Sequence, residues 1–176
     1  MNKRIRITAA AIVFFLAASF YLLSLGGCSA CQSDGNRTID QDLLIKSEVE
    51  TVISMLQGIA NRQQAGEMTL ENAKDLAAGL LRGMTYGKDG YFWADTIEGV
   101  NVVLYGRSDV EGKNRLEDKD ENGTYYIKEI ISTAKAGGGY VEYWFPKKGE
   151  TTAQPKRSYV LLFEPFGWVI GTGYYK

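Results

Sequence analysis

The fold of this 176-residue chain is decided by the stretch 163–174, which reads FEPFGWVIGTGY, together with the stretch 90–93, which reads GYFW. Between the two, short aromatic and β-branched runs alternate with Gly, Asp, Asn and Pro. Strands that are joined by turns have this composition. Residues 90–175 are therefore expected to form a sheet, around which the rest of the chain is organised.

Five strands and one helix are predicted in this part of the chain. A Gly triplet at 137–139 ends an amphipathic helix that is predicted at about 124–135. The predicted strands are 91–95, 101–105, 139–146, 156–163 and 168–174.

Two more helices are predicted upstream of the sheet. The first begins near Thr38 or Asp40, and Gly66 ends it. Its apolar residues recur at spacings of three and four; they are Ile45, Val49, Val52, Leu56 and Ile59. This stripe has two interpretations, packing on the protein's own sheet or the seam of a membrane-proximal homodimer. The second helix begins near Thr69 and carries Leu70, Ala73, Leu76, Ala77, Leu80 and Leu81. The order of elements predicts an α+β domain with its helices on a single sheet.

The N-terminus has the pattern of a segment that leaves the cytoplasm. Residues 1–6 are basic, and residues 7–25 are apolar without a charge, as in a secretory signal or a signal anchor. The following residues, Leu-Gly-Gly-Cys at 25–28, resemble the bacterial lipobox, in which Cys28 would become a lipidated N-terminus. A lipoprotein, an uncleaved anchor and simple secretion all remain open. We expect a leader at 1–27, a flexible tether at 28–37 and one domain at 38–176, anchored to a membrane on its extracytoplasmic side.

Composition excludes several kinds of chemistry. The chain has no histidine, so a His-based triad, a His metal site and an imidazole base are ruled out. The pair Cys28 and Cys31 lacks the βαβ context of a redox motif and the two further ligands of a zinc site. A formal net charge of −1 gives nucleic acid no broad basic surface. We therefore expect no enzyme, no cofactor and no nucleic-acid partner.

One acidic segment matches a calcium-binding pattern. Residues 118–123 together with Glu129 satisfy the spacing of a short EF-hand loop. The preceding residues 110–115 make a poor entering helix, however, and residues 120–123 are better interpreted as a turn and N-terminal cap for the next helix. No metal site is predicted.

Six ordered segments resemble the single Cache domain of bacterial chemoreceptors and sensor kinases, over about residues 40–176. They are GYFW at 90–93, EGKN at 111–114, DENG at 120–123, GGYVEYWFPK at 138–147, PKRSY at 155–159 and 163–173. The resemblance implies a PAS-like fold with a five-stranded antiparallel sheet and a long N-terminal helix. It also implies binding of small extracytoplasmic ligands, often short carboxylates, with signalling to a cytoplasmic output domain. The given sequence contains no second apolar span and no output region, so three interpretations stay open: a separate partner carries the signal, the chain acts as a binding protein, or the sequence is a fragment of a longer receptor.

A small anion requires a fixed cation and hydrogen-bond donors in an apolar cavity. Lys156 and Arg157 enter a strand together, and alternation puts Lys156 with Ser158 on one face and Arg157 with Tyr159 on the other. Its place in the PKRSY segment favours Lys156. Arg107 is a second candidate anion clamp. The candidate ligand-binding residues are Lys156, Trp93, Tyr105, Tyr143, Arg107, Ser158 and Tyr159. Many family members have a histidine in place of Tyr105, so the ligand is expected to differ.

These patterns support one functional hypothesis and two alternatives. The first is an extracytoplasmic sensor module, without catalysis, that recognises a short organic acid in chemotaxis or transmembrane signalling. The alternatives are a structural or interaction lipoprotein with no ligand, and a solute-binding accessory protein.

Overall fold

The structure, a computed structural model, describes residues 29–105 and 107–176, and within these ranges the side chains from residue 39 onward. The helices are α1 Ser29–Gln64, α2 Leu70–Gly83 and α3 Tyr126–Lys135. The strands are β1 Thr85–Tyr86, β2 Gly90–Tyr91, β3 Trp93–Thr96, β4 Asn101–Leu104, β5 Gly139–Pro146, β6 Ala153–Phe163 and β7 Trp168–Tyr175. A 3-10 turn at Glu164–Phe166 joins the last two strands. The predicted leader and Cys28 lie outside the described residues.

The centre of the fold is a five-stranded antiparallel sheet with the strand order β4-β3-β7-β6-β5. This architecture confirms the predicted α+β class. The first predicted strand is divided at Phe92, because Gly90 and Tyr91 pair with β1 in a separate hairpin. Two-residue β1 is too short to show any periodicity. Strand β6 begins before Pro155, whereas the prediction began after it because proline cannot donate to a sheet ladder.

Helix α1 starts well before the predicted position near Thr38. Residues 32–37, which were expected to belong to a flexible tether, are helical in the structure. Their Ser, Asp, Gly and Asn residues have weak helix propensity. Extending an existing helix nevertheless costs less than starting one, because each added residue gains one hydrogen bond. No helix within the described ranges is long and apolar enough to cross a membrane.

One face of the sheet is covered by α1 and α2. The apolar stripe of α1, from Ile45 to Ile59, is 0–6% exposed and packs on β6 and β7. This confirms packing on the protein's own sheet, and the interpretation of the stripe as a dimer seam is wrong. The predicted start of α2 is confirmed, since the hydroxyl of Thr69 accepts a hydrogen bond from the backbone N–H of Asn72 at 3.1 Å.

The opposite face is covered by α3 and by the loop between β4 and α3. The buried residues on this side come from both layers. Helix α3 contributes Tyr126, Ile127, Ile130, Ile131 and Ala134, and the sheet contributes Trp93, Val141, Tyr143, Val160 and Val169. The two faces of the sheet therefore have separate cores.

Asp42 connects α1 to strands β5, β6 and β7. The Arg157 Nε and Nη2 atoms donate to its two carboxylate oxygens at 2.8 and 2.9 Å, and the Tyr174 hydroxyl donates to Oδ1 at 3.0 Å. The Tyr140 hydroxyl donates to the backbone carbonyl of Asp42 at 3.0 Å. The hydrogen bond from Arg157 is the main cause that lowers the pKa of Asp42 below its usual value. One helix residue thus contacts three strands.

We expect Asp42→Asn to lower the free energy of unfolding by about 1–2 kcal/mol, because it weakens a bidentate charge-assisted pair. Since the pKa of Asp42 is lowered, its contribution is present above the ordinary carboxyl pKa and disappears as the pH falls through the lower, folded-state value. Urea unfolding at pH 7 measures the loss. Asp40→Asn, an exposed position on the same helix, is the control, and an equal effect at both positions would contradict the role assigned to Asp42.

Candidate ligand-binding site

A small cavity lies between the sheet and α3, and the buried Lys156 forms part of its wall. Lys156 and Arg157 point to opposite faces of the sheet, as predicted from the sequence, and the structure places Lys156 on the α3 side and Arg157 on the α1 side. The side chain is 1% exposed, and its Nζ donates to the Tyr91 hydroxyl at 2.7 Å. Its ammonium lies 4.4 Å from the ring centroid of Tyr91, 5.5 Å from Phe145 and 5.2 Å from Tyr175. Aromatic faces attract a cation, so these rings partly replace its hydration.

A second cation, Arg115, reaches the same cavity from the loop that precedes α3. It is 6% exposed, and its Nη2 donates to the Tyr126 hydroxyl at 2.5 Å. Its Nε donates to Asp118 at 3.2 Å, and its Nη1 lies 3.7 Å from Asp95 Oδ1. The guanidinium is therefore held in one orientation at the cavity wall.

The cavity also contains one fully buried acid, Asp95 on β3. The side-chain Nδ2 of Asn101 donates to its Oδ1 at 2.9 Å. Burial raises the pKa of Asp95 to about 6, although Arg115 and Asn101 oppose this change. At neutral pH the cavity thus combines two cations with one carboxylate.

Aromatic side chains form the rest of the wall. Trp93 lies against β7 at Gly171, where a Cβ atom would collide with the indole ring. Tyr143 stacks on Tyr126 with 5.1 Å between ring centroids, and its hydroxyl is 3.0 Å from Ser158 Oγ. These contacts fix the indole and phenol groups before any ligand binds, which reduces the entropy that binding would lose.

The cavity is smaller than the sequence-based hypothesis requires. Its volume of about 10 Å³ is roughly that of one water molecule. A much larger groove of about 800 Å³ lies between α1, the β1–β2 hairpin and the turn after β5. Tyr91 lines the groove, and its hydroxyl binds the Lys156 ammonium of the cavity. This hydrogen bond therefore lies between the cavity and the groove.

The structure brings some of the predicted site residues together and separates others. Lys156, Trp93 and Tyr143 line the cavity, and Ser158 contacts Tyr143. Tyr105 instead lines the groove and stacks on Tyr91, with 5.7 Å between the ring centroids. Tyr105 does not lie at its predicted place in the cavity wall because β4 ends at Leu104. Strand alternation therefore does not set the direction of the next side chain.

Two further predicted residues lie away from the cavity. Arg107 is exposed and forms an ion pair with Asp109 at 2.9 Å. Tyr159 packs against Tyr140 in the core under α1, on the opposite face of the sheet. Alternation along β6 requires this, because Lys156 and Tyr159 are separated by an odd number of positions.

Sequence reasoning missed four residues of the site: Arg115, Asp95, Tyr91 and Tyr126. Asp95 could have been found, because it shares a face of β3 with Trp93. Arg115 lies in a loop without periodicity, so no pattern indicates where its side chain points.

The calcium-like segment forms a turn, as predicted. Asp120 Oδ1 accepts hydrogen bonds from the N–H groups of Asn122 and Thr124, at 2.9 and 3.0 Å, and Oδ2 accepts one from Trp144 at 3.2 Å. The segment does not cap α3, because the helix follows Tyr125, whose side chain makes no capping bond. Over residues 29–105 and 107–176, no three His, Cys, Asp or Glu side chains are grouped as metal ligands would be.

A sheet with a charged cavity on one face and a long helix on the other defines a sensor module of the PAS-like class. The family model "Single Cache domain 2" matches residues 38–176, and the chain belongs to this family. A solved structure titled "Periplasmic sensor domain of chemotaxis protein" is 29% identical with a TM-score of 0.76, covering 78% of this chain and 96% of that one. Another, titled "Structural basis for carboxylic acid recognition by a Cache chemosensory domain", is 30% identical with a TM-score of 0.76, covering 80% and 97%.

Two curated relatives are whole signalling receptors. The sensor histidine kinase MctS of Rhizobium johnstonii is 35% identical over an alignment of 144 residues that covers 78% of this chain and 31% of the kinase. The methyl-accepting chemotaxis protein McpP of Pseudomonas putida is 28% identical over 128 residues, which are 72% of this chain and 24% of the receptor. The chain thus spans about a quarter to a third of the length of these relatives.

Asp95 makes stability depend on pH in an unusual direction. Folding raises the pKa of Asp95 to about 6. Protonated Asp95 therefore makes its full contribution to stability below the ordinary carboxyl pKa, and this contribution is lost as the pH rises through about 6. The free energy of unfolding of the parent, relative to that of Asp95→Asn, should therefore decrease by about 2–3 kcal/mol between pH 4 and pH 7. Urea unfolding across this range measures it, and Asp75→Asn, at an exposed position on α2, should show no such change. A difference that stays constant with pH would contradict the buried-acid assignment.

Proposed function

We propose that this chain is an extracytoplasmic sensor domain that binds a short organic acid in the cavity under α3. In this proposal, binding contributes to chemotaxis or transmembrane signalling through a partner protein. Membrane attachment at Cys28 or through an uncleaved N-terminal helix is part of the same proposal and falls outside the described residues.

The observation that carries the proposal is the environment of Lys156. Its ammonium is 1% exposed, and no carboxylate of the described chain lies within ion-pair distance of it. Moving an ion out of water costs several kcal/mol unless an opposite charge compensates. A ligand carboxylate would supply that charge.

The charge balance of the cavity favours a ligand with a single carboxylate. Lys156 and Arg115 contribute two positive charges, and Asp95 contributes one negative charge above pH 6. A monocarboxylate makes these three buried groups neutral, since Asp118, which also contacts Arg115, is half exposed and its charge is screened by solvent. A dicarboxylate would leave an excess negative charge in a site with little access to water, which is unfavourable.

The comparisons support the same ligand class. One solved relative is described by its title as recognising carboxylic acids, and two curated relatives are a sensor kinase and a chemoreceptor. One solved relative is a periplasmic sensor domain, which supports an extracytoplasmic location for this chain.

Binding requires the cavity to widen from about 10 Å³. A C2 to C4 acid has four to six heavy atoms, so some lining side chains must move outward. Tyr91 is the side chain placed to do so, because it separates Lys156 from the groove. In this proposal the ligand carboxylate replaces the Tyr91 hydroxyl on the ammonium. At a ceiling of about −1.5 kcal/mol per heavy atom, such ligands reach dissociation constants in the micromolar range.

The small volume also favours a second candidate function, an interaction protein whose inherited pocket is filled by its own side chains. The burial of the α1 stripe counts against the version of this idea in which that stripe binds a partner. A solute-binding accessory protein would bind its ligand in the same cavity. It would differ from a sensor domain in the proteins with which it associates.

In a screen of C2 to C4 carboxylates, at least one acid should raise the melting temperature of the protein. At 100 times the dissociation constant the gain is about 2.7 kcal/mol, which corresponds to roughly 5–10 °C. Lys156→Met should abolish the shift while keeping the fold, since an apolar side chain of similar length replaces a buried charge at little cost.

Lys135→Met is the matched control, because Lys135 is exposed at the end of α3 and its loss should leave the shift intact. Retention of the full shift in Lys156→Met would show that the site is assigned wrongly. A screen with no shift for any acid would support the interaction protein instead.

A further inference from the structure

Two buried polar atoms of the cavity wall have no hydrogen-bond partner in the described part of the chain. They are the indole Nε1 of Trp93 and the carboxylate Oδ2 of Asp95. The two side chains are 3% and 0% exposed, and both line the cavity. Roughly 90% or more of buried polar groups are hydrogen-bonded. A donor and an acceptor without partners at one cavity therefore require an explanation.

The fold positions this pair on one side of the cavity. Trp93 and Asp95 are two residues apart on β3, so their side chains leave the same face of the sheet. Trp93 is in register with Gly171 on β7, and the absence of a Cβ atom there makes room for the indole ring. The hydrogen bond from Asn101 and the nearest approach of Arg115 are both to Oδ1 of Asp95, so Oδ2 is the oxygen left without a partner in the described part of the chain.

A hydroxyl group matches both atoms, because it can accept from the indole N–H and donate to the carboxylate. A ketone only accepts, an ammonium only donates, and a second carboxylate would be repelled by Asp95. The space of about 10 Å³ is that of one water oxygen, and a hydroxyl oxygen has the same size.

We infer that the ligand is a hydroxy-carboxylate, with its hydroxyl group bound between Trp93 and Asp95 and its carboxylate bound by Lys156 and Arg115. This inference rests on the proposed function. It assigns Trp93 and Asp95 as the residues that determine which short acids are preferred, whereas the two cations bind any of them.

Four probes of nearly equal size test the inference on the parent protein: 2-hydroxypropionate, pyruvate, alanine and propionate. Calorimetric titration of the full chain at pH 7.5 measures their dissociation constants. The hydroxy acid should bind at least about 10-fold more tightly than propionate, because the analogue leaves a buried charged acceptor unpaired. Pyruvate should fall between them, and alanine should bind more weakly than the hydroxy acid, because its ammonium can donate to Asp95 but cannot accept from the indole N–H.

Two variants assign the preference to its residues. Trp93→Phe removes the donor and should bring pyruvate to the affinity of propionate, and Asp95→Asn should shrink the advantage of the hydroxy acid over propionate to about threefold or less. Trp144→Phe, at a half-buried tryptophan on β5 outside the cavity wall, should leave all ratios unchanged.

The outcomes distinguish the proposed hydroxyl site from the proposed carboxylate site. Equal affinities for 2-hydroxypropionate and propionate in the parent protein would overturn the hydroxyl site and leave the carboxylate site standing, with a buried water molecule as the partner of the two atoms. If none of the four probes binds, the proposed function fails and the hydroxyl site fails with it. The parent series decides even if a variant does not fold.

Discussion

The site depends on a buried ammonium whose nearest polar neighbour is a phenol rather than a carboxylate. Lys156 donates to Tyr91 and is surrounded by aromatic rings. The ammonium lowers the pKa of Tyr91, although burial alone would raise it. A phenol and a ring face compensate a buried cation only in part. The second cation and the closed volume of the cavity must be explained together with this incompletely compensated charge.

Strand β6 connects the cavity to the long helix through its alternation. Lys156 and Arg157 are neighbours that point to opposite faces, and on β7 they are in register with Tyr175 and Tyr174. Tyr175 lies over Lys156, while Tyr174 and Arg157 both bind Asp42 on α1. The same two strands therefore carry residues of the cavity and residues that hold α1.

The sequence predicted the elements better than it predicted the site, and the reasons are physical. The limits of β5 were predicted correctly because a glycine triplet precedes it and Pro146 ends it. Strand alternation indicated that only one of Lys156 and Arg157 faces the cavity, and Lys156 was chosen by its place in the PKRSY segment that resembles the family. Arg115 was not found, since its side chain is held by contacts to Asp95, Asp118 and Tyr126 that come from three other positions along the chain. Such a site depends on tertiary structure, and local periodicity does not describe it.

Stability alone does not account for the composition of the cavity. Replacing buried ion pairs with apolar residues of similar volume is often neutral or stabilising, and this cavity holds two cations, one acid and an indole N–H in a core otherwise made of Ile, Val and aromatic residues. The apolar surroundings strengthen every electrostatic interaction inside. A charged cluster that lowers stability but strengthens interactions with an anion is what a binding site requires. The composition of the cavity therefore supports the proposed recognition of a small acid.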